Sequence, residues 1–189
     1  MKNIIIYGSS RSGKTQLAKM IAQTYHYNIV MVDSLVSAFQ NSMPDLKINH
    51  IDRTGETIKK LEPFLLSYLK SINKIDKKAR GINYIIEGSY FDIDKLLELK
   101  NKFVLIILIS CFEQPVGYYN ALRKYDKEYD WTYQLSHEAL VEYSDNLYQH
   151  NKYLKMKCDE FNLRYYDTAQ NRKKTFKHII RNLKTELIE

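Results

Sequence analysis

A glycine-bounded segment near the start of the chain contains the residue types that bind phosphate groups. Residues 8–15 read Gly-Ser-Ser-Arg-Ser-Gly-Lys-Thr and match the complete pattern Gly-x-x-x-x-Gly-Lys-[Ser/Thr]. The two glycines permit a close approach that a β-carbon would block, so the N–H groups between them can turn toward an anion. The lysine suits the β- and γ-phosphates, and the threonine hydroxyl suits Mg²⁺. We therefore expect ATP and Mg²⁺ to be bound by Gly8, Ser9, Ser10, Arg11, Ser12, Gly13, Lys14 and Thr15.

The elements around this segment must position it, and both can be predicted from the sequence. Residues 3–7 form an apolar run that predicts a buried strand, and residues 14–25 have apolar positions at helical spacing. A helix that begins at Lys14 would direct its positive N-terminal end at the bound phosphates. This strand–loop–helix context favours a phosphate site over a chance glycine-rich turn.

Strand and helix patterns alternate along the rest of the chain. Apolar runs predict four further strands, at residues 28–32, 82–86, 103–109 and 164–166. Helical spacing predicts helices at residues 55–75, 92–99, 114–125, 135–161 and 173–187, with Pro63 causing a kink or a later start and Asp92 as an N-cap. The alternation predicts one α/β domain over residues 1–189, a three-layer sandwich whose five-stranded, mostly parallel sheet has helices on both faces.

Polar residues follow the predicted strands at the edge where such folds bind ligands. The strand ends carry Gly8, Asp33, Glu87, Ser110 and Asp167. In open α/β sheets ligands bind beyond the carboxyl ends of the strands, so we expect these residues to surround one cleft.

The phosphate-binding segment, together with a strand that ends in Glu87-Gly88, resembles the P-loop small-molecule kinases of the adenylate-kinase-like, uridine-kinase-like and phosphoribulokinase-like group. The resemblance implies a P-loop NTPase fold with strand order 2-3-1-4-5 and a small lid. It also implies that Glu87 holds Mg²⁺ or a magnesium-bound water beside Thr15 and borders the substrate. The commoner residue at this position is aspartate, so direct bonding to the metal and bonding through water both stay open.

Asp33 has two interpretations. In uridine-kinase-like enzymes an acid at this position faces the substrate hydroxyl and acts as a base, and an alcohol acceptor does need to lose a proton. The alternative is that Asp33 or Ser34 caps a short helix at residues 35–39. Residues 34–55 are predicted to form the acceptor site, where Arg53 either binds an anionic group or is solvated.

Basic residues suggest two further contacts with the nucleotide. The resemblance implies a mobile lid at residues 123–134, with Arg123 closing over the transferred phosphoryl group and Lys124 as the second choice. It also places the loop after the fifth strand beside the adenine base, where Arg172 would stack on the ring or only complete a turn.

These residues together predict an ATP-dependent phosphotransferase acting on a small-molecule hydroxyl, such as that of a nucleoside or sugar. Lys14, Asp33 and Arg123 are the predicted catalytic residues. A nucleotide kinase or nucleic-acid-end kinase is one alternative, and an NTP-binding regulatory ATPase without a small-molecule acceptor is another.

Composition limits the remaining possibilities. The net charge of +7 is spread along the chain, so nucleic-acid binding is possible but not favoured. Two distant cysteines argue against a disulfide framework or a four-cysteine zinc site. The longest apolar run is too short to span a bilayer, and no secretory signal is recognised. We therefore expect a cytoplasmic protein without membrane contact, and a homodimer is possible.

Overall fold

A computed structural model describes residues 1–50, 55–77 and 80–187 of the chain. The strands are β1 (Asn3–Gly8), β2 (Asn28–Met31), β3 (Tyr84–Gly88), β4 (Phe103–Ile109) and β5 (Tyr165–Asp167). The helices are α1 (Lys14–Tyr25), α2 (Val32–Ser42), α3 (Glu56–Ser71), α4 (Ile93–Leu99), α5 (Pro115–Tyr125), α6 (His137–Glu160) and α7 (Arg172–Glu186). Two 3₁₀ turns at Pro44–Leu46 and Trp131–Gln134 and a π-helical segment at Ile72–Lys77 complete the described elements.

The five strands form one sheet in the predicted order, β2-β3-β1-β4-β5. All four neighbouring pairs are parallel, so the carboxyl ends of the strands lie along one edge. Tyr7 pairs with Gly88, and Met31 pairs with Glu87. This register brings the ends of β2 and β3 beside the segment that follows β1.

Alternation along β1 fills both layers of the core. Ile5 and Tyr7 pack on one face with residues of α2, α3, α4 and α6, whereas Ile4 and Ile6 pack on the other face with residues of α1 and α7. Because period-2 alternation points successive side chains to opposite faces, an all-apolar strand implies helices on both sides. The three-layer sandwich predicted from the sequence is confirmed.

Several boundaries differ from the predicted ones. β2 ends at Met31, and α2 starts at Val32 without a loop. α3 begins at Glu56 and continues through Pro63, so the proline does not delay the start of the helix. Asp92 is an N-cap as predicted, and its side chain accepts a hydrogen bond from the backbone N–H of Asp94.

Both cysteines are free, and Cys158 is fully buried in the core while Cys111 is half-buried beside it. Among the described residues, no helix has the length and apolar character that a membrane span requires.

Candidate functional site: a phosphate-binding loop and a carboxylate-lined cleft

The loop between β1 and α1 has the backbone shape of an anion cradle. β1 ends at Gly8, where φ is +149°, and α1 is preceded by Gly13 with φ of +92°. The backbone N–H of Leu17 donates to the carbonyl of Gly13 at 3.0 Å and closes the first helical turn. The N–H groups of that first turn have no acceptor within the helix, which makes the start of α1 favourable for a phosphate.

Lys14 lies against this loop and is only 8% exposed. Its Nζ donates to the carbonyl oxygen of Ser9 at 2.8 Å, and the Ser12 hydroxyl donates to the same oxygen at 2.8 Å. The hydroxyl of Ser9 is buried and has no hydrogen-bond partner among the described residues. The structure thus holds a lysine ammonium and a serine hydroxyl at the loop that the motif assigns to phosphate.

Thr15 and Glu87 meet beside the loop. The Thr15 hydroxyl donates to Glu87 Oε1 at 3.0 Å. Glu87 is only 2% exposed, and its other carboxylate oxygen, Oε2, has no hydrogen-bond partner in the described part of the chain. Burial raises the pKa of Glu87, and the charge of Lys14 and the hydrogen bond from Thr15 oppose that rise. A hydroxyl oxygen and a carboxylate oxygen are the hard donors that Mg²⁺ prefers, so the pair fits a magnesium site.

Asp33 lies in the first turn of α2, directly after the strand β2 that pairs with β3, the strand of Glu87. Its side chain is 48% exposed. Burial is the main cause of the raised pKa of Glu87, and the charge of Asp33 adds to it. The alternative that Asp33 or Ser34 caps a helix at residues 35–39 is wrong. The helix already begins at Val32, and its N-cap, Met31, makes no side-chain capping bond.

His50 links Asp33 to other polar side chains of the cleft. Its Nδ1 lies 3.9 Å from Asp33 Oδ1 and 2.8 Å from the hydroxyl of the buried Tyr90. Its Nε2 lies 2.8 Å from the hydroxyl of Ser37, which is one helical turn beyond Asp33. The side chains of Asp33, Ser37, His50 and Tyr90 thus form a polar cluster, of the kind that orients a polar ligand.

Arg11 extends from the loop to the connection between α5 and α6. Its guanidinium donates to Asp130 at 3.0 Å, to the Thr132 hydroxyl at 2.9 Å, and to Asp126. The hydroxyl of Thr132 also donates to Asp126. We call residues 126–134 the strap, because this stretch of the predicted lid is tied to the phosphate-binding loop.

Tyr143 on α6 makes a second connection to the same region. Its hydroxyl donates to the Ser10 hydroxyl at 2.9 Å, and its ring meets Trp131 of the strap edge-to-face at a centroid distance of 4.9 Å. The strap is therefore in contact with the loop through Arg11 and with α6 through Trp131.

Of the other predicted basic residues, Arg172 contacts the phosphate-binding loop, and Arg123 contacts Tyr119 instead. Arg172 donates to the carbonyl oxygen of Arg11 at 2.7 Å, and burial followed by the nearby Arg11 charge lowers its pKa. Arg123 is exposed and instead lies over Tyr119, with its Nε 3.3 Å from the Tyr119 hydroxyl. Arg53 lies outside the described residues.

Sequence reasoning missed Tyr143, Ser37, Tyr90 and the acidic residues of the strap. Tyr143 lies within the helix predicted at residues 135–161, where its spacing is that of an apolar position and gives no signal for its hydroxyl. The contacts of Arg11 with the strap span more than a hundred residues, so no local spacing could reveal them.

Gly8 is expected to be essential for the shape of the loop. A β-carbon at Gly8 would lie 1.9 Å from the backbone carbonyl oxygen of Leu108, which cannot rotate away. We expect Gly8→Ala to lower the free energy of unfolding by more than about 3 kcal/mol, measured by urea denaturation. Gly81→Ala is the matched control, because Gly81 also has positive φ but has no atom within 4 Å of a new β-carbon. Equal losses in the two variants would show that the contact with β4 is not restrictive.

No protein-family model and no curated protein sequence matches the chain. Solved structures do match it. Shikimate kinase from Acinetobacter baumannii, solved with shikimate, aligns with a TM-score of 0.58 and 13% identity over 100% of this chain and 93% of that one. A gluconokinase from Sinorhizobium meliloti aligns with a TM-score of 0.55 and 13% identity over 98% and 97% of the two chains.

A third match is the YorR protein of Bacillus subtilis, solved in complex with phosphorylated GDP. It aligns with a TM-score of 0.52 and 16% identity over 99% of each chain. The alignments span essentially whole chains, and the sheet order agrees with the one expected from the sequence. The chain therefore shares the fold of these solved structures, a five-stranded parallel sheet in the order β2-β3-β1-β4-β5 with helices on both faces.

Proposed function

We propose that the chain transfers the γ-phosphoryl group of ATP to a hydroxyl group of a small molecule. The observation that supports this most directly is the half-exposed carboxylate of Asp33, which lies close enough to Glu87 of the Thr15–Glu87 pair for its charge to raise the pKa of Glu87. A loop that only binds a nucleotide has no need of a carboxylate at this position, whereas an attacking alcohol does.

The donor nucleotide is assigned to the loop. Lys14 and the N–H groups at the start of α1 bind the β- and γ-phosphates, and Thr15 and Glu87 hold Mg²⁺. The ion, when bound, neutralises negative charge on the phosphates. Arg172 lies at the start of α7 against the loop, and we assign it to the adenine side of the nucleotide.

The transfer is a direct displacement. The acceptor oxygen attacks the γ-phosphorus, its proton passes to Asp33, and the bond from the γ-phosphorus to the bridging oxygen of ADP breaks. The loop, Lys14 and the cleft side chains hold the two substrates in line, because positioning and charge stabilisation supply most of the rate in such reactions.

The cleft side chains favour an acceptor that presents hydroxyl groups. Between Val32 and His50 the sequence has no arginine and a single lysine, Lys47, and the polar side chains of Ser37, His50 and Tyr90 are hydrogen-bonded to one another. Arginine is over-represented where phosphate groups are bound, so a segment with few basic residues favours an acceptor that presents hydroxyl groups. Arg53 remains our proposal for an anionic substituent such as a carboxylate.

Arg123 remains the proposed lid cation. Because its guanidinium lies over Tyr119, it reaches the phosphates only after the end of α5 and the strap rearrange. Arg11 already lies at the loop, where its guanidinium is bound to Asp126 and Asp130 of the strap.

Acceptor-stimulated release of ADP tests the proposal. The purified chain is incubated with Mg-ATP and a panel of nucleosides, sugars, polyols and hydroxylated acids including shikimate. We expect at least one hydroxyl compound to raise ADP release well above the rate without acceptor. Stimulation only by nucleoside monophosphates would assign a nucleotide kinase, and stimulation only by nucleic-acid ends, with steep salt dependence, would assign an end kinase. A rate that no compound changes would assign a regulatory ATPase.

A further inference from the structure

Arg11 binds two carboxylates at a place where a nucleotide would bring several negative charges. The guanidinium contacts Asp126 and Asp130 of the strap, and Asp130 also accepts a hydrogen bond from the backbone N–H of Lys127 at 2.8 Å. The three charged side chains together carry a net charge of −1 at the edge of a loop built for phosphate. Like charges brought together at a desolvated site are unfavourable, so this arrangement opposes the entry of a polyanion.

The burial of Asp126 links the guanidinium to the position of the strap. The side chain of Asp126 is only 7% exposed, and its contacts are Arg11 and the Thr132 hydroxyl. If Arg11 turned toward phosphates while the strap stayed in place, this carboxylate would be left buried without a cation, which is strongly unfavourable. Arg11 therefore leaves Asp126 only when the strap moves and Asp126 is hydrated.

We propose that the phosphates of the nucleotide compete with Asp126 and Asp130 for Arg11, so that the strap closes the empty loop and is released when nucleotide binds. Asp126 and Asp130 act as residues that set nucleotide affinity. A nucleotide must displace both carboxylates from Arg11 before it binds. The apparent nucleotide affinity therefore falls as the fraction of molecules with a closed strap rises. This inference rests on the nucleotide site of the proposed function but not on the identity of the acceptor.

Trp131 provides a direct signal for the strap. It is the single tryptophan of the chain, lies in the strap, and is 49% exposed while its ring contacts Tyr143. Release of the strap separates the two rings and hydrates the indole. We expect saturating Mg-AMP-PNP to shift the Trp131 emission to longer wavelength and to increase its quenching by acrylamide.

The decisive variant is Asp130→Asn, because Asp130 is more exposed than Asp126 and its replacement leaves Asp126 paired with Arg11. Competition predicts that the variant binds Mg-AMP-PNP about 3- to 10-fold more tightly than the wild type, measured by isothermal titration calorimetry. Its Trp131 emission without nucleotide should already lie between the two wild-type limits. Glu128→Gln is the matched control, because it removes the same charge from an exposed strap residue that does not contact Arg11.

The outcomes separate this inference from the proposed function. Tighter binding by Asp130→Asn, with Glu128→Gln close to the wild type, supports competition at Arg11. Weaker or unchanged binding by Asp130→Asn means that the strap is a fixed part of the nucleotide site. Equally tighter binding by both variants means that the net charge of the strap, and not the contact with Arg11, sets nucleotide affinity. Either result overturns the inference while leaving the kinase proposal intact. Failure of the wild type to bind Mg-AMP-PNP overturns both.

Discussion

Replacing Lys14 with methionine is expected to lower the rate of phosphoryl transfer by about 10³-fold, because the variant loses a preorganised cation at the β- and γ-phosphates. Methionine keeps most of the apolar volume of a residue that is only 8% exposed, so the loss should come from the charge and not from unfolding. The rate is measured under single-turnover conditions with an acceptor found by the ADP-release screen. Lys100→Met, at an exposed position after α4, is the control and should retain the wild-type rate.

The same variant has a second readout that does not depend on activity. His150 on α6 has a lowered pKa, caused first by burial and then by the charge of Lys14. Removing that charge should raise the pKa of His150 toward its ordinary value, which can be followed by proton NMR of the imidazole. A variant with full transfer activity would contradict the assignment of Lys14 to the phosphates, and an unchanged His150 pKa would show that the two side chains do not interact.

Asp33→Asn is expected to lower turnover by about 10²- to 10⁴-fold while leaving the affinity for Mg-ATP close to that of the wild type. The amide keeps the size of the side chain, which lies 3.9 Å from His50, but it cannot take the proton of the acceptor hydroxyl. Nucleotide affinity is measured by titration without acceptor, and turnover is measured at saturating acceptor.

A matched control and a contrary result complete this experiment. Asp45→Asn makes the same chemical change at an exposed aspartate in the 3₁₀ turn at Pro44–Leu46. It should leave both the nucleotide affinity and the turnover rate unchanged. If Asp33→Asn turns over its acceptor at the wild-type rate, Asp33 is not the base. An equal loss in nucleotide affinity would instead place Asp33 in the nucleotide site.

The central part of the site could be predicted because local chemistry specifies it. The pattern from Gly8 to Thr15 specifies a loop whose glycines must adopt unusual backbone angles, and both Gly8 and Gly13 do so. The resemblance implies that Glu87 lies beside Thr15, and the structure has a hydrogen bond between these two side chains. The sheet order followed from the resemblance and is confirmed.

The remainder depends on tertiary contacts that leave no local pattern. The apolar run at residues 28–32 predicts a strand that includes Val32, but in the fold Val32 is fully buried as the first residue of α2. The lid was expected to bring a basic residue to the loop, and the structure instead places Asp126 and Asp130 on Arg11. A salt bridge between residues this far apart in sequence depends on chain topology, which composition and spacing do not encode.

Transfer of the γ-phosphoryl group from ATP to an acceptor hydroxyl is tested by following that group into the products. ATP labelled at the γ-position is incubated with the chain and the best acceptor, and the products are separated and identified by mass spectrometry. We expect the label to be recovered on the acceptor as a phosphate ester, in an amount equal to the ADP formed. Recovery of the label only as inorganic phosphate, with or without acceptor, would contradict it and identify a nucleotide hydrolase.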